Sequence, residues 1–119
     1  MTNVKDRHVF ISGPMTGIES YNVDAFLSAH KTLKMLGARY VFDPAIEWLD
    51  GSGPTREHAY YMLRAIGELT NSDGYGRPDY DVLVSLPGWE NSEGARLERT
   101  VAEACGIETC NLSEVEGAS

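Results

Sequence analysis

Apolar residues occur along this chain in two alternating patterns. Short continuous apolar runs are typical of buried strands, and apolar positions spaced by three and four residues are typical of one face of a helix. Glycine and proline residues separate most of these segments. The pattern predicts strands at residues 8–12, 39–42, 80–86 and 107–110, and helices at residues 22–36, about 55–69 and about 92–105.

Strands and helices therefore alternate with short connections, which predicts an α/β domain with a mainly parallel sheet. We expect a flavodoxin-like or Rossmann-like fold of three layers, with a small sheet of four to five strands. A single domain is predicted over residues 1–112, and the acidic segment 113–119 is expected to fray. Ligands of such folds bind at the carboxyl ends of the strands, which here continue into residues 12–17, 43–44 and 86–92.

One carboxylate falls on the apolar face of the third predicted helix. At about 100° per residue, Glu98 lies at the centre of an arc formed by small and apolar residues, namely Gly94, Ala95, Val101, Ala102 and Cys105. Burial is unfavourable for a carboxylate and raises its pKa, so Glu98 is a candidate nucleophile or acid/base. The structural alternative is that Glu98 reaches solvent at the edge of the stripe or pairs with an arginine.

The charge balance narrows the classes of partner. The 119 residues include 18 acidic and 10 basic side chains, for a formal net charge of −8. This argues against binding to polymeric DNA or RNA and against a polybasic membrane-surface role, since both need a basic surface. No apolar run reaches the roughly 18 residues of a membrane span, and residues 1–6 lack the apolar core of a signal peptide. We therefore expect a cytoplasmic protein.

The sequence does not contain the motifs of several common binding and catalytic sites. Two cysteines and three scattered histidines predict neither a disulfide framework nor a zinc site. The glycines of the loop after the first predicted strand (residues 12–17, the first loop) match neither the dinucleotide fingerprint nor the P-loop. The G-x-S-x-G serine motif does not occur.

Two segments at predicted strand ends are distinctive when taken together. Residues 9–17 read Val-Phe-Ile-Ser-Gly-Pro-Met-Thr-Gly, with Asn22 and Phe26 downstream, and residues 86–98 read Leu-Pro-Gly-Trp-Glu-Asn-Ser-Glu-Gly-Ala-Arg-Leu-Glu. Over roughly residues 9–107 the chain resembles the DUF4406 family, which looks like a compact branch of the nucleoside 2-deoxyribosyltransferase-like superfamily. The resemblance implies a domain of that type, in which a helix-borne glutamate attacks the anomeric carbon and releases the base.

The resemblance also implies roles for individual residues. Glu98 matches the nucleophile, and Gly94 matches the glycine four residues before it. Ser92, six residues before Glu98, matches the serine that binds the 5′-phosphate in enzymes that hydrolyse nucleoside 5′-monophosphates, where nucleoside transferases carry aspartate. A helix N-terminus also favours an anion, and the alternative for Ser92 is a plain N-cap.

Other candidate binding residues come from the strand ends. The first loop is expected to hold phosphate and sugar, Trp89 and Met15 to bound the base, and Asp43 to contact a sugar hydroxyl or the base. The structural alternatives are a turn for Asp43 and a cover over the core or an interface for Trp89. The predicted binding residues are Ser12, Gly13, Pro14, Met15, Thr16, Gly17, Asp43, Gly88, Trp89, Ser92 and Gly94.

The chain departs from the superfamily at two points. Phe10 stands where transferases often have a tyrosine near the nucleophile. Another group must then orient Glu98, and the candidates are Tyr21, Tyr60 and Tyr61. The first loop also lacks the arginine of the better-known nucleotide hydrolases, so hydroxyls and backbone amides are expected to contact the phosphate there.

The expected function is therefore hydrolysis of the N-glycosidic bond of a nucleoside 5′-monophosphate, with Glu98 as nucleophile and with no metal or redox cofactor. A nucleoside or nucleotide (deoxy)ribosyltransferase is one alternative, and a non-catalytic nucleotide-binding or sensor protein is another. The expected ligand is a small nucleotide or nucleoside. The resemblance and the small size together imply a homodimer or a higher homo-oligomer.

Overall fold

A computed structural model describes residues 1–46, 53 and 56–118 of the chain. Within these residues the strands are β1 (His8–Ser12), β2 (Tyr40–Phe42), β3 (Val82–Ser85) and β4 (Glu108–Asn111), and the α-helices are α1 (Val23–Met35), α2 (His58–Leu69) and α3 (Glu93–Ala104). All seven predicted elements are confirmed. The predicted loop at residues 50–54 lies outside the described residues except for Gly53, and the predicted start of the second helix at Thr55 lies outside them. No helix in the described part of the chain is long and apolar enough to cross a membrane.

The four strands form one parallel sheet in the order β2-β1-β3-β4. The chain leaves β1 for β2 on one side and later returns to β3 on the other side, so the strand order reverses next to β1. Such a reversal opens a crevice at the carboxyl ends of the strands. These ends are in register where Ser12 of β1 pairs with Ser85 of β3. The expected flavodoxin-like arrangement, with a small parallel sheet, is confirmed.

Side chains of β1 alternate between two buried clusters, one on each face of the sheet. Ile11 lies in a cluster with Phe26 of α1. Phe10 lies in the other cluster with Leu69 of α2 and Ala102 of α3. Because strand side chains point alternately to the two faces, α1 covers one face and α2 and α3 cover the other. This gives the three layers that the alternation of elements predicts.

The acidic segment that was expected to fray is instead packed against the N-terminal residues. Val115 is fully buried and forms a parallel bridge with Thr2. The backbone N–H of Glu116 donates to the Thr2 carbonyl over 2.7 Å. The prediction of fraying is wrong for residues 113–118, because one apolar side chain enters the core and the backbone finds partners in the N-terminal segment.

Candidate functional site

A cavity of about 180 Å³ lies between α2, the start of α3 and the loops that follow β1 and β2. Six of the predicted site residues line it, namely Gly13, Met15, Thr16, Ser92, Gly94 and Glu98. The other described residues that line it are Tyr21, Phe26, Phe42, Pro44, Arg56, His58, Tyr61, Met62, Arg64, Ala65 and Ala95. The cavity therefore occupies the edge of the sheet where the strand order predicts a ligand.

Glu98 lies deep in this cavity and is hydrogen-bonded to β1. Only 8% of Glu98 is exposed, and the Ser12 hydroxyl donates to Glu98 Oε1 over 2.6 Å. Ser12 follows Phe10 by two residues on the strand, so both side chains point to the face that α3 covers. The inward orientation of Glu98 that helical periodicity predicts is confirmed, and its hydrogen-bond donor is Ser12.

Burial sets the acidity of Glu98. Loss of solvation raises the pKa of its carboxyl group to about 7, and the hydrogen bond from Ser12 opposes this shift by stabilising the charged form. Glu98 therefore exchanges a proton in the neutral pH range and is more basic than an exposed glutamate. Both properties are typical of carboxyl groups that act as acid/base or as nucleophile.

Ser92 begins α3 as its N-cap. The Ser92 Oγ accepts a hydrogen bond from the backbone N–H of Ala95 over 3.2 Å, and Ser92 also lines the cavity. The capping interpretation is confirmed. The N-terminus of α3 therefore faces the cavity, where its backbone N–H groups and dipole favour a negative charge.

Gly94 allows α2 to approach α3 closely. A Cβ atom at Gly94 would lie 3.1 Å from Met62 Sδ and 3.8 Å from His58 Cε1. The missing side chain at Gly94 leaves room for Met62, so the two helices pack together there. Gly94 also lines the cavity, next to Ala95.

Asn22 anchors the loop that follows β1. Asn22 directly precedes α1, but its side chain makes no capping bond to the helix. Its Nδ2 instead donates to the Pro14 carbonyl over 2.9 Å, which ties the two ends of the loop together. Gly13 is required by packing, since a Cβ atom there would lie 2.8 Å from Leu86 Cβ.

Trp89 and Asp43 have structural partners away from the cavity. The Trp89 Nε1–H donates to Asn111 Oδ1 over 3.0 Å, and the Arg99 guanidinium lies 4.3 Å from the centre of the indole ring. Asp43 Oδ1 accepts from the Ala45 N–H over 2.9 Å, which is the turn interaction weighed as its alternative. Asp43 Oδ2 lies 3.1 Å from a histidine ring nitrogen. The predicted binding residues that do not line the cavity are Ser12, Pro14, Gly17, Asp43, Gly88 and Trp89.

The tyrosines considered as partners of Glu98 have separate positions. Tyr21 and Tyr61 line the cavity, whereas Tyr60 does not. The hydroxyl group that donates to Glu98 belongs to Ser12. Phe10 is fully buried and stacks on Phe42 with ring centres 4.8 Å apart, so it belongs to the core.

Sequence reasoning missed the basic residues of the cavity. Arg56, His58 and Arg64 line it from the second helix and the residues just before it. Arg64 lies outside the apolar stripe of α2, so periodicity gives no signal for it. Only the packing of α2 against α3 brings these side chains to the cavity.

Comparisons with known proteins identify the family. No curated protein and no solved structure matches the chain. One family model, described as a domain of unknown function (DUF4406), matches residues 7–111. That match contains β1, α3 and both motifs on which the resemblance rests, and the chain belongs to the DUF4406 family.

Proposed function

We propose that this protein is an N-glycosidase that cleaves the bond between base and sugar in a nucleoside 5′-monophosphate. The observation that carries the proposal is the placement of Glu98, which is buried in a cavity and bonded through one oxygen to Ser12. The resemblance to the nucleoside 2-deoxyribosyltransferase-like superfamily supports the same reading.

The surroundings of Glu98 argue against a purely structural role. Among the described residues no arginine or lysine pairs with its carboxyl group. Arg99, the next residue on α3, instead donates to Ser85 Oγ and Asn111 Oδ1. A structural carboxylate is normally satisfied by a cation, since an ionised group without one is costly to bury. Glu98 has one hydroxyl donor and an open cavity, which suits a group that reacts with a ligand.

The proposed reaction has two steps at Glu98. In the first, an ionised carboxylate oxygen forms a bond to the anomeric carbon, the carbon–nitrogen bond breaks, and the base leaves with the electron pair and takes up a proton. In the second, water adds to the anomeric carbon, the ester bond to Glu98 breaks, and one proton is released. The transition states carry oxocarbenium character. Ser12 holds Oε1, which leaves Oε2 to react.

The substrate is proposed to bind with its phosphate near the start of α3. Ser92 and Gly94 at the start of the helix line the cavity, as do Gly13 and Thr16 of the loop after β1. Helix N-termini bind phosphate through their free N–H groups and their dipole. The apolar lining from Phe26, Phe42 and neighbouring aromatic side chains suits the base and sugar.

The central test is base release. The purified protein is incubated with the common ribo- and deoxyribonucleoside 5′-monophosphates, and the free base is measured by chromatography. We expect release from at least one of them and a loss of at least about a thousandfold in Glu98→Gln, because the amide cannot act as nucleophile. The matched control is Glu93→Gln, an exposed glutamate on the same helix, which is expected to keep full activity.

Two outcomes would contradict the proposal. One is no base release from any substrate in the panel, and the other is full activity in Glu98→Gln. Exchange of one base for another without net hydrolysis would assign the protein to the transferases instead. In that case the same covalent intermediate would be used, with a second base in place of water.

We also propose that the protein works in the cytoplasm as a homodimer or higher homo-oligomer. Leu63 is 77% exposed and Tyr60 is 44% exposed, both on α2, and exposed apolar side chains of this kind are common at interfaces. Sedimentation equilibrium measures the state directly. A monomer at micromolar concentration, unchanged in Leu63→Glu, would contradict this part of the proposal.

A further inference from the structure

His58 is a polar residue of the cavity whose ring has no polar partner within the part of the chain that the structure describes. It is the first residue of α2 and is exposed. The other two histidines are both engaged, since His8 Nδ1 lies 3.2 Å from the Asp79 carbonyl oxygen and His30 Nδ1 lies 3.1 Å from Asp43 Oδ2. The ring nitrogens of His58 therefore remain able to bind a ligand in the cavity.

The His58 ring lies beside the second residue of α3. Its Cε1 atom is 3.8 Å from the position that a Cβ atom of Gly94 would occupy. Because Cε1 is bonded to both ring nitrogens, each nitrogen lies within about 5 Å of that position. The start of α2 and the start of α3 therefore meet at this point of the cavity.

The start of α3 has further hydrogen-bond donors at the same place. The N–H groups of Ala95 and Arg96 donate to the Ser92 Oγ and the Ser92 carbonyl oxygen over 3.2 and 3.0 Å. The N–H groups of Glu93 and Gly94 have no acceptor among the described residues. The Ser92 hydroxyl accepts from Ala95 and keeps its own proton to donate. Two backbone N–H groups and one hydroxyl group are therefore left for a ligand.

Glu98 gives independent evidence that this cavity takes a ligand. Only 8% of Glu98 is exposed, and among the described residues it has a hydrogen-bond partner at only one of its two carboxyl oxygens. Buried polar atoms are normally bonded, so an oxygen without a partner beside a cavity indicates a ligand or water there. Gly94 precedes Glu98 by four residues, which is about 6 Å along the helix.

We infer that His58 donates a hydrogen bond to the phosphate of the nucleotide at the start of α3, and that this contact makes the site prefer a nucleotide to a nucleoside. The inference rests on the proposed function for the nature of the ligand. The donors would come from two helices, because the His58 ring belongs to α2 and the Ser92 hydroxyl lies at the start of α3. A phosphate group has three strongly accepting oxygens, which suits several converging donors. An imidazole ring has an N–H donor in its neutral and in its charged form, so the contact needs no change of protonation.

This position also separates the phosphate from the reacting carboxyl group. The phosphate would lie about one helical turn closer to the start of α3 than Glu98, and the sugar would span the distance between them. The separation weakens the repulsion between the phosphate and an ionised Glu98. The phosphate position is the one that the proposed reaction requires.

The test measures binding without catalysis. Calorimetry is performed on Glu98→Gln, with each common ribo- and deoxyribonucleoside 5′-monophosphate and with the corresponding nucleoside. His58→Phe, added to this background, keeps a flat ring and removes the donor. Because hydrogen bonds to charged groups are the stronger ones, we expect it to weaken monophosphate binding by about tenfold or more. Binding of the nucleoside is expected to stay within about twofold.

His58→Gln is the conservative variant, because its side-chain amide keeps an N–H donor. In the same background it is expected to keep the monophosphate affinity within about threefold. The matched control is His8→Phe, which removes an imidazole at the opposite end of β1 from Ser12, outside the cavity. This control is expected to leave both affinities unchanged.

Four outcomes would overturn the inference. They are equal weakening of monophosphate and nucleoside binding by His58→Phe, equal losses in His58→Phe and His58→Gln, an equal effect of His8→Phe, and no monophosphate binding at all. If the His58 effects appear but the native protein releases no base, the proposed reaction fails and the phosphate contact stands. If the native protein releases base and His58→Phe binds every monophosphate as before, the reaction stands and the phosphate contact fails.

Discussion

The Ser12 hydroxyl lies 2.6 Å from Glu98 Oε1, although 86 residues separate the two in sequence. Ser12 pairs in register with Ser85 of the neighbouring strand, and the Ser85 Oγ accepts a hydrogen bond from Arg99 Nη1 over 3.0 Å. Two consecutive residues of α3 are therefore held by two paired serines at the carboxyl ends of β1 and β3. The Ser12 hydroxyl donates to a carboxyl group, whereas the Ser85 hydroxyl accepts from a guanidinium.

The ionisation of Glu98 predicts how activity depends on pH. Burial raises the pKa of Glu98 to about 7, and the nucleophile must be ionised. Base release by the native protein is therefore expected to rise with pH and to level off above pH 8. At pH 6 the rate is expected to be about tenfold below the plateau, because about a tenth of the carboxyl groups are ionised. Values of kcat/KM measured from pH 5 to 9 check this pH dependence. A profile that does not change with pH would contradict the prediction.

Removal of the Ser12 hydroxyl is expected to shift that profile. The hydrogen bond lowers the pKa of Glu98 against the effect of burial. In Ser12→Ala the midpoint is therefore expected to move upward by about one pH unit, the equivalent of a hydrogen bond worth about 1.4 kcal/mol. Ser85→Ala is the matched control, since its hydroxyl contacts Arg99 and not Glu98. The substrate phosphate titrates in the same way in both variants, so equal midpoints would contradict the role assigned to Ser12.

The same ionisation predicts a pH-dependent stability. The pKa of Glu98 is raised from 4.5 to about 7 in the folded protein. Between these values the folded state keeps a proton that the unfolded state has lost, so the free energy of unfolding falls as pH rises. Glu98→Gln removes this effect. Between pH 5 and pH 8 the variant is expected to gain about 2 kcal/mol relative to the native protein. Urea unfolding at both pH values measures the gain, and a pH-independent difference would show that Glu98 is not desolvated.

Two helical glycines are expected to respond oppositely to alanine. A Cβ atom at Gly67 of α2 would meet no atom within 4 Å, so Gly67→Ala is expected to stabilise the protein by about 0.5–1 kcal/mol through helix propensity. A Cβ atom at Gly94 would lie 3.1 Å from Met62 Sδ. Gly94→Ala is expected to lose that gain and to weaken nucleotide binding, since Met62 must move within the cavity wall. Urea unfolding and calorimetry distinguish the two, and equal stabilisation would show that Met62 moves freely.

The C-terminal segment is expected to contribute to stability. Val115 is fully buried, so Val115→Ala is expected to lower the free energy of unfolding by about 2 kcal/mol through lost burial and a residual cavity. Glu116→Ala, at an exposed position next to Val115, is expected to change the free energy of unfolding by less than about 0.5 kcal/mol. Equal small effects in both variants would indicate that the segment frays after all.

Local sequence patterns were enough to predict the elements, their order and the inward orientation of Glu98. Periodicity identifies which side of a strand or helix is apolar, because side-chain direction repeats every two residues in strands and every 3.6 in helices. Glu98 stood out because a carboxylate interrupted an otherwise small and apolar face. The two motifs also identified the DUF4406 family, which residues 7–111 match.

The contacts between groups at the site depend on long-range packing. Periodicity gives the direction of Glu98 but not the identity of Ser12 as its partner, since that contact depends on how α3 packs across the sheet. The position of Trp89 after a strand end suggested contact with a ligand, whereas packing places the Arg99 guanidinium over its indole ring. Arg64 reaches the cavity through helix packing and not through any local pattern. Local sequence fixes which way a side chain points, and long-range packing fixes what it encounters there.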